Sequence, residues 1–467
     1  MKSAEFWAQD NPRVDVLNDS ELQSNGGCVL LWVQRAQRAQ ANQAVNLAVE
    51  IAKDLNLPVI AAFCLVPAFP SANLRHYHFM AEGLRELPEA FATRGIGWTL
   101  AVGEPVDVIP KLAREHHAVA ILTDLNPLRI GREWRSQVAA KLDIPMLVVD
   151  SDTVVPSSLF VKSEYAPRTL RPKIHAVLNQ YLQRVSDIKP LVVSDLRIGP
   201  DALVAIASFD LDTSVGPAPD LRGGAKEARI RLQHFISKRL DVYDTQRNRA
   251  DIDAGTVLSP YQHYGQIGPI EIALAVQESD APDVAKESLL DELIVQRELS
   301  INYALRNTDY DRYAGIPNWG RETLAKHADD KRDSTYTLGQ LERAATHDAL
   351  WNAAMTQMIH EGWLPNRLRM YWGKQILLWS ETPELAYRHT VHLNDKYFID
   401  GRDANSYANI GWSIGGLHDR PFGPERKITG LVRPMGIGAM KRSFDIGAYT
   451  EKTMTRWGTS QSGLDLK

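Results

Sequence analysis

Three groups of residues in this 467-residue chain have types and spacings that could do chemistry. The first is a set of tryptophans. Trp372 and Trp379 lie seven residues apart in RLRMYWGKQILLW (367–379), which on a helix is two turns, one face and about 10.5 Å of rise. Trp351 falls on the preceding predicted helix, ALWNAAMTQMIHEGW (349–363), placed to pack against them. Such a set is either an aromatic core stripe or a path for single-electron hopping, and a hopping path requires a redox cofactor. The second group is TVLSPYQHYGQI (256–267). Ser259 before Pro260 marks a helix start, with Ser as N-cap and Pro preset for the first turn. Free N–H groups at such a start bind phosphate, although a plain capped helix uses the same residues. The third is YFIDGRDANSYANIGWSIGGLHDRPFG (397–423), where Asp400, Arg402, Asp403 and Asn405 crowd one glycine and Trp412 precedes a Gly pair. Polar density beside an aromatic suits a loop that holds a ribose or a base; a solvated turn has the same composition.

Other chemistries are excluded by what is missing. Cys28 and Cys64 are the only cysteines, so a disulfide framework and a Cys-rich zinc or iron–sulfur site are ruled out. HYH (76–78) lacks a third ligand at useful spacing, and no metal site is expected. Net charge is −4, so no global positive field points to nucleic acid. The local count differs: residues 415–442 carry six Lys/Arg (Arg420, Arg426, Lys427, Arg433, Lys441, Arg442) against Asp419 and Glu425, a local +4. MKSAEFWAQD has no apolar h-region and no run approaches 18 apolar residues, so a cytoplasmic protein without a membrane segment is expected.

The elements that must position these residues follow from the patterning. Residues 1–25 are polar and patternless and read as a loosely held arm. CVLLWV (28–33), PVIAAFCLV (58–66), WTLAV (98–102), VAILTDL (119–125) and PMLVVD (145–150) are short apolar runs alternating with helical stretches such as 43–55 and 75–93. That alternation predicts βαβ units and a parallel sheet covered on both faces. The pattern weakens over 156–224, which reads as a connector ending in SVGPAPDLRGG. From 225 to 467 the chain is helical, with ARIRLQHFISKRLDVY placing Ile230, Phe235, Ile236 and Leu240 at helical spacing. The outline is an α/β domain over 26–155, a connector, and an all-α domain.

Taken together, these stretches resemble the photolyase–cryptochrome family, and within it the class II cyclobutane pyrimidine dimer photolyases. The resemblance rests on LWVQRAQRAQ (31–40), TDLNPLR (123–129), EYAPRTLRPKI (164–174), LSPYQHYGQ (258–266), DELIVQREL (291–299), LWNAAM (350–355), MYWGKQILLW (370–379), LNDKYFIDGRDANSYA (393–408), WSIGGLHDRP (412–421) and MKRSFD (440–445), in consistent order. It implies a Rossmann-like antenna domain, a connector and a helical domain that binds FAD, reduced in the active form. By similarity the FAD pocket would use Tyr243, Arg247, the Val257–Leu258–Ser259 turn, Asp400 and Asp403. Asn394 matches the class II asparagine facing flavin N5, and Trp372 matches the tryptophan nearest the flavin, with Trp351 and Trp379 continuing to the surface. Glu292 matches the carboxylate that hydrogen-bonds the dimer, Met370 a thioether of the pocket, and Trp412 an aromatic wall. Arg420, Arg433, Lys441 and Arg442 would face DNA phosphates, and Phe422 would act as a wedge filling the hole left by flipped bases.

The implied activity is light-driven splitting of cyclobutane pyrimidine dimers in double- or single-stranded DNA by a monomer, with electron transfer from photoexcited reduced FAD to the flipped dimer. A deazaflavin-type antenna chromophore is the implied second cofactor. The chain departs from the family pattern at Phe422, where Trp is usual, at Gln296, where Trp or Arg is frequent, and at Asn42–Gln43, where Asn-Trp is usual. A cryptochrome-like photoreceptor would keep the flavin and the Trp set without repair. A light-independent flavin oxidoreductase would need a nicotinamide site, and no convincing GxGxxG follows a strand.

Overall fold

The apolar runs form strands in a computed structural model that describes residues 4–23, 25–252 and 254–458. These are β1 (Val14–Val16), β2 (Cys28–Val33), β3 (Val59–Leu65), β4 (Gly97–Val102), β5 (Ala118–Asp124), β6 (Met146–Val149) and β7 (Arg197–Ile198). They make one sheet in the order β1-β6-β5-β2-β3-β4-β7. All pairs are parallel except β1 with β6. Successive side chains of a strand point to opposite faces. In β2, Val29, Leu31 and Val33 accordingly enter one apolar layer, and Cys28, Leu30 and Trp32 the other. The Gln43–Leu55 helix covers the first face; Pro105–Glu115 and Arg129–Ala139 cover the second. Burial on both faces is why these strands read as unbroken apolar runs rather than alternating ones.

Two expectations need correction. The N-terminal arm is not loose: Ala4–Ala8 is helical, Trp7 is buried with its indole N–H donated to Asp54, and β1 pairs Val14 with Val149. Three strand residues with one acid among them are too few to show a period. Residues 1–3 and 24 of that arm lie outside the described residues, as do 459–467 of the helical domain. The connector is also not a bare link. Its Pro167–Tyr181 helix buries Leu170 and Ile174 in the helical lobe, while β7 extends the sheet beside β4. The helical stretch at 75–93 is two helices, Leu74–Leu84 and Leu87–Ala92.

The helical lobe is built around Ala349–Glu361, Asn366–Trp379, Pro383–Tyr397 and Ala404–Gly415. Three of these four starts are capped by side chains, while Asn366–Trp379 begins after Pro365 without one. Asp348 accepts from Trp351 N, Thr382 from Leu385 N, and Asp403 from Asn405 N, satisfying amides that have no partner inside the helix. Gly416 closes the last helix at φ 70°, where a Cβ would also meet the Trp319 ring at 2.4 Å. Among the described residues, no helix is long and apolar enough to cross a membrane.

Trp7→Ala tests whether the N-terminal segment is part of the packed domain. It should lower unfolding free energy by about 3 kcal/mol, measured by guanidinium denaturation. An unchanged midpoint would return residues 4–16 to the status of an arm.

Candidate active site

A cleft of about 1950 Å³, counting its open mouth, runs into the helical lobe. Its walls include Tyr243, Arg247, Leu258, Ser259, Glu292, Met370, Asp400 and Trp412, all singled out from the sequence. Glu292 is presented by an unusual turn: residues Asp291–Gln296 form a π-helical segment between Asp283–Leu290 and Arg297–Arg306. Such wide turns recur at functional sites because they displace a side chain from the regular helix face. Arg247 Nη1 donates to Glu292 Oε1 at 2.7 Å. Burial pushes the Glu292 carboxyl above its ordinary range, against the opposing pull of Arg247. The Tyr243 phenol is likewise raised by burial, to about 12, and stays neutral.

Met370 also lines a deeper recess, together with Trp372, Asn394, Thr390 and Ser413. Asn394 donates its Nδ2 to Asp395 at 2.8 Å, which fixes the amide's orientation. Behind Trp372 the indoles are in contact. Trp351 stacks on it with ring centroids 6.4 Å apart and planes 7° from parallel, and Trp351 Nε1 donates to Trp372 O at 3.0 Å. Trp379 meets Trp351 edge-on at 5.5 Å, then touches Tyr336 and the exposed His347. The helix spacing thus yields a continuous series from the recess to the surface.

The inner wall joins the two lobes through buried charge. Arg35, in the loop after β2, donates to Asp403 at 2.6 Å and to Asp152 at 2.9 Å. Arg38 meets Asp152 at 3.0 Å, His263 Nδ1 lies 3.1 Å from Asp403, and Arg297 donates to the Asp152 carbonyl. Burial alone would raise Asp403, but Arg35 and His263 hold its carboxyl well below the usual carboxylate range. Burial lowers His263.

Several sequence expectations are placed differently. Ser259 is the first residue of a five-residue helix and makes no capping bond; Leu258 precedes it, and Val257 takes a left-handed φ of 51°. Val257 lines a neighbouring cavity rather than the main cleft. Asp403 has its oxygens engaged by Arg35, His263 and Asn405 N, so it joins the lobes instead of standing free. Arg433 is bound to Asp419 at 2.7 and 2.9 Å and lies over the Phe422 ring. Arg420, Lys441 and Arg442 are exposed. The sequence reading missed Gln262, Arg297, Asn366 and Arg369, all in the cleft wall, whereas Asn405 stands there as its polar loop suggested. Arg369 pairs with Asp400 at 2.6 Å and lies 3.6 Å from the Phe398 centroid. Its signal was available: it stands three residues before Trp372, on the same helix face.

A second cavity, about 850 Å³, lies at the carboxyl ends of β2 and β3 and beside the loop after β5. This is where the strand order reverses, the usual ligand position in open α/β sheets. Trp32, Phe63, Phe69, Tyr77 and Trp134 line it, with His263, Tyr264 and Arg402 contributed by the helical lobe.

Comparison with known proteins points to one family. Residues 29–191 match the family described as DNA photolyase. A deoxyribodipyrimidine photo-lyase of Methanothermobacter thermautotrophicus is 37% identical over 444 residues, covering 94% of this chain and 97% of the relative. The chain belongs to the DNA photolyase family. The fold is shared with a class III photolyase from Agrobacterium tumefaciens (TM-score 0.72, 18% identity, 94% of this chain and 88% of that one). It is shared too with an archaeal photolyase from Sulfolobus tokodaii described with two FAD molecules (TM-score 0.69, 14% identity, 93% and 91%).

Membership in the photolyase family implies FAD, and the cleft's chemistry fits it. Gln262 Nε2, Arg297 Nη2, Arg369 Nε and Trp372 Nε1 are buried in the cleft and recess walls without a hydrogen-bond partner. All four are donors, which suits a molecule rich in phosphate and carbonyl oxygens. The joint beside them sets three guanidiniums, Arg35, Arg38 and Arg297, against two carboxylates, Asp152 and Asp403. The excess positive charge favours an anionic ligand.

Arg35→Met should cost about 3 kcal/mol of unfolding free energy, because it removes the guanidinium shared by buried Asp403 and Asp152 and leaves each with fewer partners. Asp403's depressed folded pKa makes its contribution complete above about pH 5 and lost as pH falls below about 4. Urea unfolding across that window should therefore fall less steeply in Asp403→Asn than in the parent; equal slopes would remove Asp403 from this role.

Proposed function

We propose that this chain is a light-driven lyase that splits cyclobutane pyrimidine dimers in DNA, of the class II type that its motifs resemble. The observation carrying this reading is that Met370 lines both the recess of Trp372 and Asn394 and the open cleft of Glu292 and Trp412. The side chains that would face a flavin ring and those that would face a base therefore meet at Met370. Gln262, Ser259 and Arg297 would hold the phosphate-bearing part of the cofactor, with Arg369, Asp400 and Asn394 around its ring system. When bound, reduced FAD supplies light absorption and an electron that the dimer takes and returns, with no net redox change.

The chain's own residues bind, orient and exclude water. Trp412 and Met370 offer a flat and a polarisable apolar surface to bases turned out of the stack, and Glu292, held by Arg247, offers a polar group to their edges. A damaged step is weakly stacked, so turning it out costs less than for normal bases. Arg420, Lys441 and Arg442 are the cations available to phosphates, and Phe422 fills the vacated space. The Trp372–Trp351–Trp379 series is a route by which electrons reach the cofactor from the surface. The second cavity takes a planar, conjugated light-harvesting molecule of deazaflavin type; its aromatic walls and its place at the strand ends support that reading.

Blue light on dimer-containing oligonucleotide with reduced protein should restore thymine absorbance. No recovery with flavin bound would sink the lyase and favour a photoreceptor. Trp372→Phe should abolish photoreduction of oxidised flavin while pre-reduced protein still repairs; equal photoreduction would refute the route. Glu292→Ala should slow repair by about tenfold or more at saturating light, the loss expected of a hydrogen bond involving a charged group. A repair rate equal to wild type would remove Glu292 from the lesion site.

A further inference from the structure

We propose that Lys374 is a positioning residue for the lesion: its ammonium, buried behind the Trp412 indole, fixes that ring as a wall of the cleft. The inference rests on the reading of the cleft as a dimer site. Lys374 lies on the Asn366–Trp379 helix, two residues beyond Trp372, with only 2% of its surface exposed. Its Nζ donates to Trp412 O at 3.0 Å and sits 4.3 Å from the centroid of the same residue's ring. Trp412 lines the cleft and Lys374 does not, so the cation occupies the protein side of the indole.

An ammonium is an expensive group to bury, and an apolar side chain of equal length would fill the space at less cost. What compensates it here belongs to Trp412: a carbonyl near the end of the Ala404–Gly415 helix, where the dipole favours a cation, and an indole face. The carbonyl fixes the backbone and the ring contact fixes the rotamer, so one group sets both. The loop that follows supplies the other charged neighbours. Asp419 attracts Lys374 from a distance, Arg433 opposes it while bound to Asp419, and His418 is neutral because burial pulls it to about 4. Arg433 in turn covers Phe422, so the ammonium is tied electrostatically to both aromatic elements of the proposed lesion site. Burial draws Lys374 itself down to about 7, against the pull of Asp419. The cation is therefore present below neutrality and lost above it.

The test is binding in the dark, by anisotropy, of a dimer-containing oligonucleotide and of its undamaged counterpart to the full chain between pH 6 and 8.5. Wild type should prefer the dimer most at pH 6, with the preference falling through a midpoint near 7. Lys374→Met should weaken dimer binding at pH 6 by about tenfold, leave undamaged binding unchanged, and flatten the pH profile. A Lys374→Met protein with wild-type preference and pH profile, or one that loses both ligands equally, overturns the proposal. Should Lys374→Met fail to fold, Lys374→Gln decides, since it keeps a donor to the Trp412 carbonyl and removes the charge: a pH-dependent preference that survives there unchanged overturns the proposal, and a flat profile supports it. Absence of any dimer preference in wild type would instead strike the lesion-site reading itself.

Discussion

The structure depends on one buried ionic joint. Arg35 reaches Asp403 across 368 residues of sequence, and Asp152 collects Arg35, Arg38 and Arg297 from both lobes. Burying so many charges is costly unless each is matched, and the match demands that the lobes meet in one geometry. Asp403 also caps the Ala404–Gly415 helix through Asn405 N. From that cap to Trp412 is nine residues, or about 13 Å along the helix axis. The interlobe contact therefore sets the position of the cleft's aromatic wall, and the sheet domain scaffolds a site to which it gives few walls of its own.

The tryptophans divide by neighbourhood rather than by helix. Seven of the eleven follow residue 315. Trp351 and Trp372 are fully buried and parallel, a contact that a core alone would not demand, since offset and edge-on pairs pack equally well. Trp379 closes the series against Tyr336 and His347 near solvent. Trp363 and Trp412 face the cleft instead. Trp351, Trp372 and Trp379 all belong to the buried core of the helical lobe, so the contact series and the core packing are made by the same three side chains.

Much of this was legible in the chain. The parallel strands were, because burial on both faces writes a continuous apolar run. The Trp series was, because helical spacing places Trp372 and Trp379 on one face. What escaped depends on partners far away in sequence. Asp400 and Asp403 share a polar loop and look alike there, yet Asp400 stays at the cleft with Arg369 and Asp403 turns to Arg35. Local polar density cannot tell a carboxylate that meets a ligand from one that meets another lobe. The π-turn at Glu292 and the edge strand at Val14 escaped for a related reason: one interrupts a period and the other is too short to show one.

Charge explains why the cleft can be both anion-seeking and aromatic. Counted along the chain, residues 415–442 carry a surplus of cations, but several of them are used on rings and acids. Arg433 and Arg426 lie over Phe422, Lys374 over Trp412, and Arg369 over Phe398. Two of these cations are also paired with acids, Arg433 with Asp419 and Arg369 with Asp400, so each fixes a ring and a carboxylate at once while its net field is reduced. Arg420, Lys441 and Arg442 stand exposed, and exposed cations of this kind draw a polyanion. Positioning of the aromatic side chains and attraction of a polyanion are thus divided: buried or paired cations hold the rings, and exposed ones supply the surface charge.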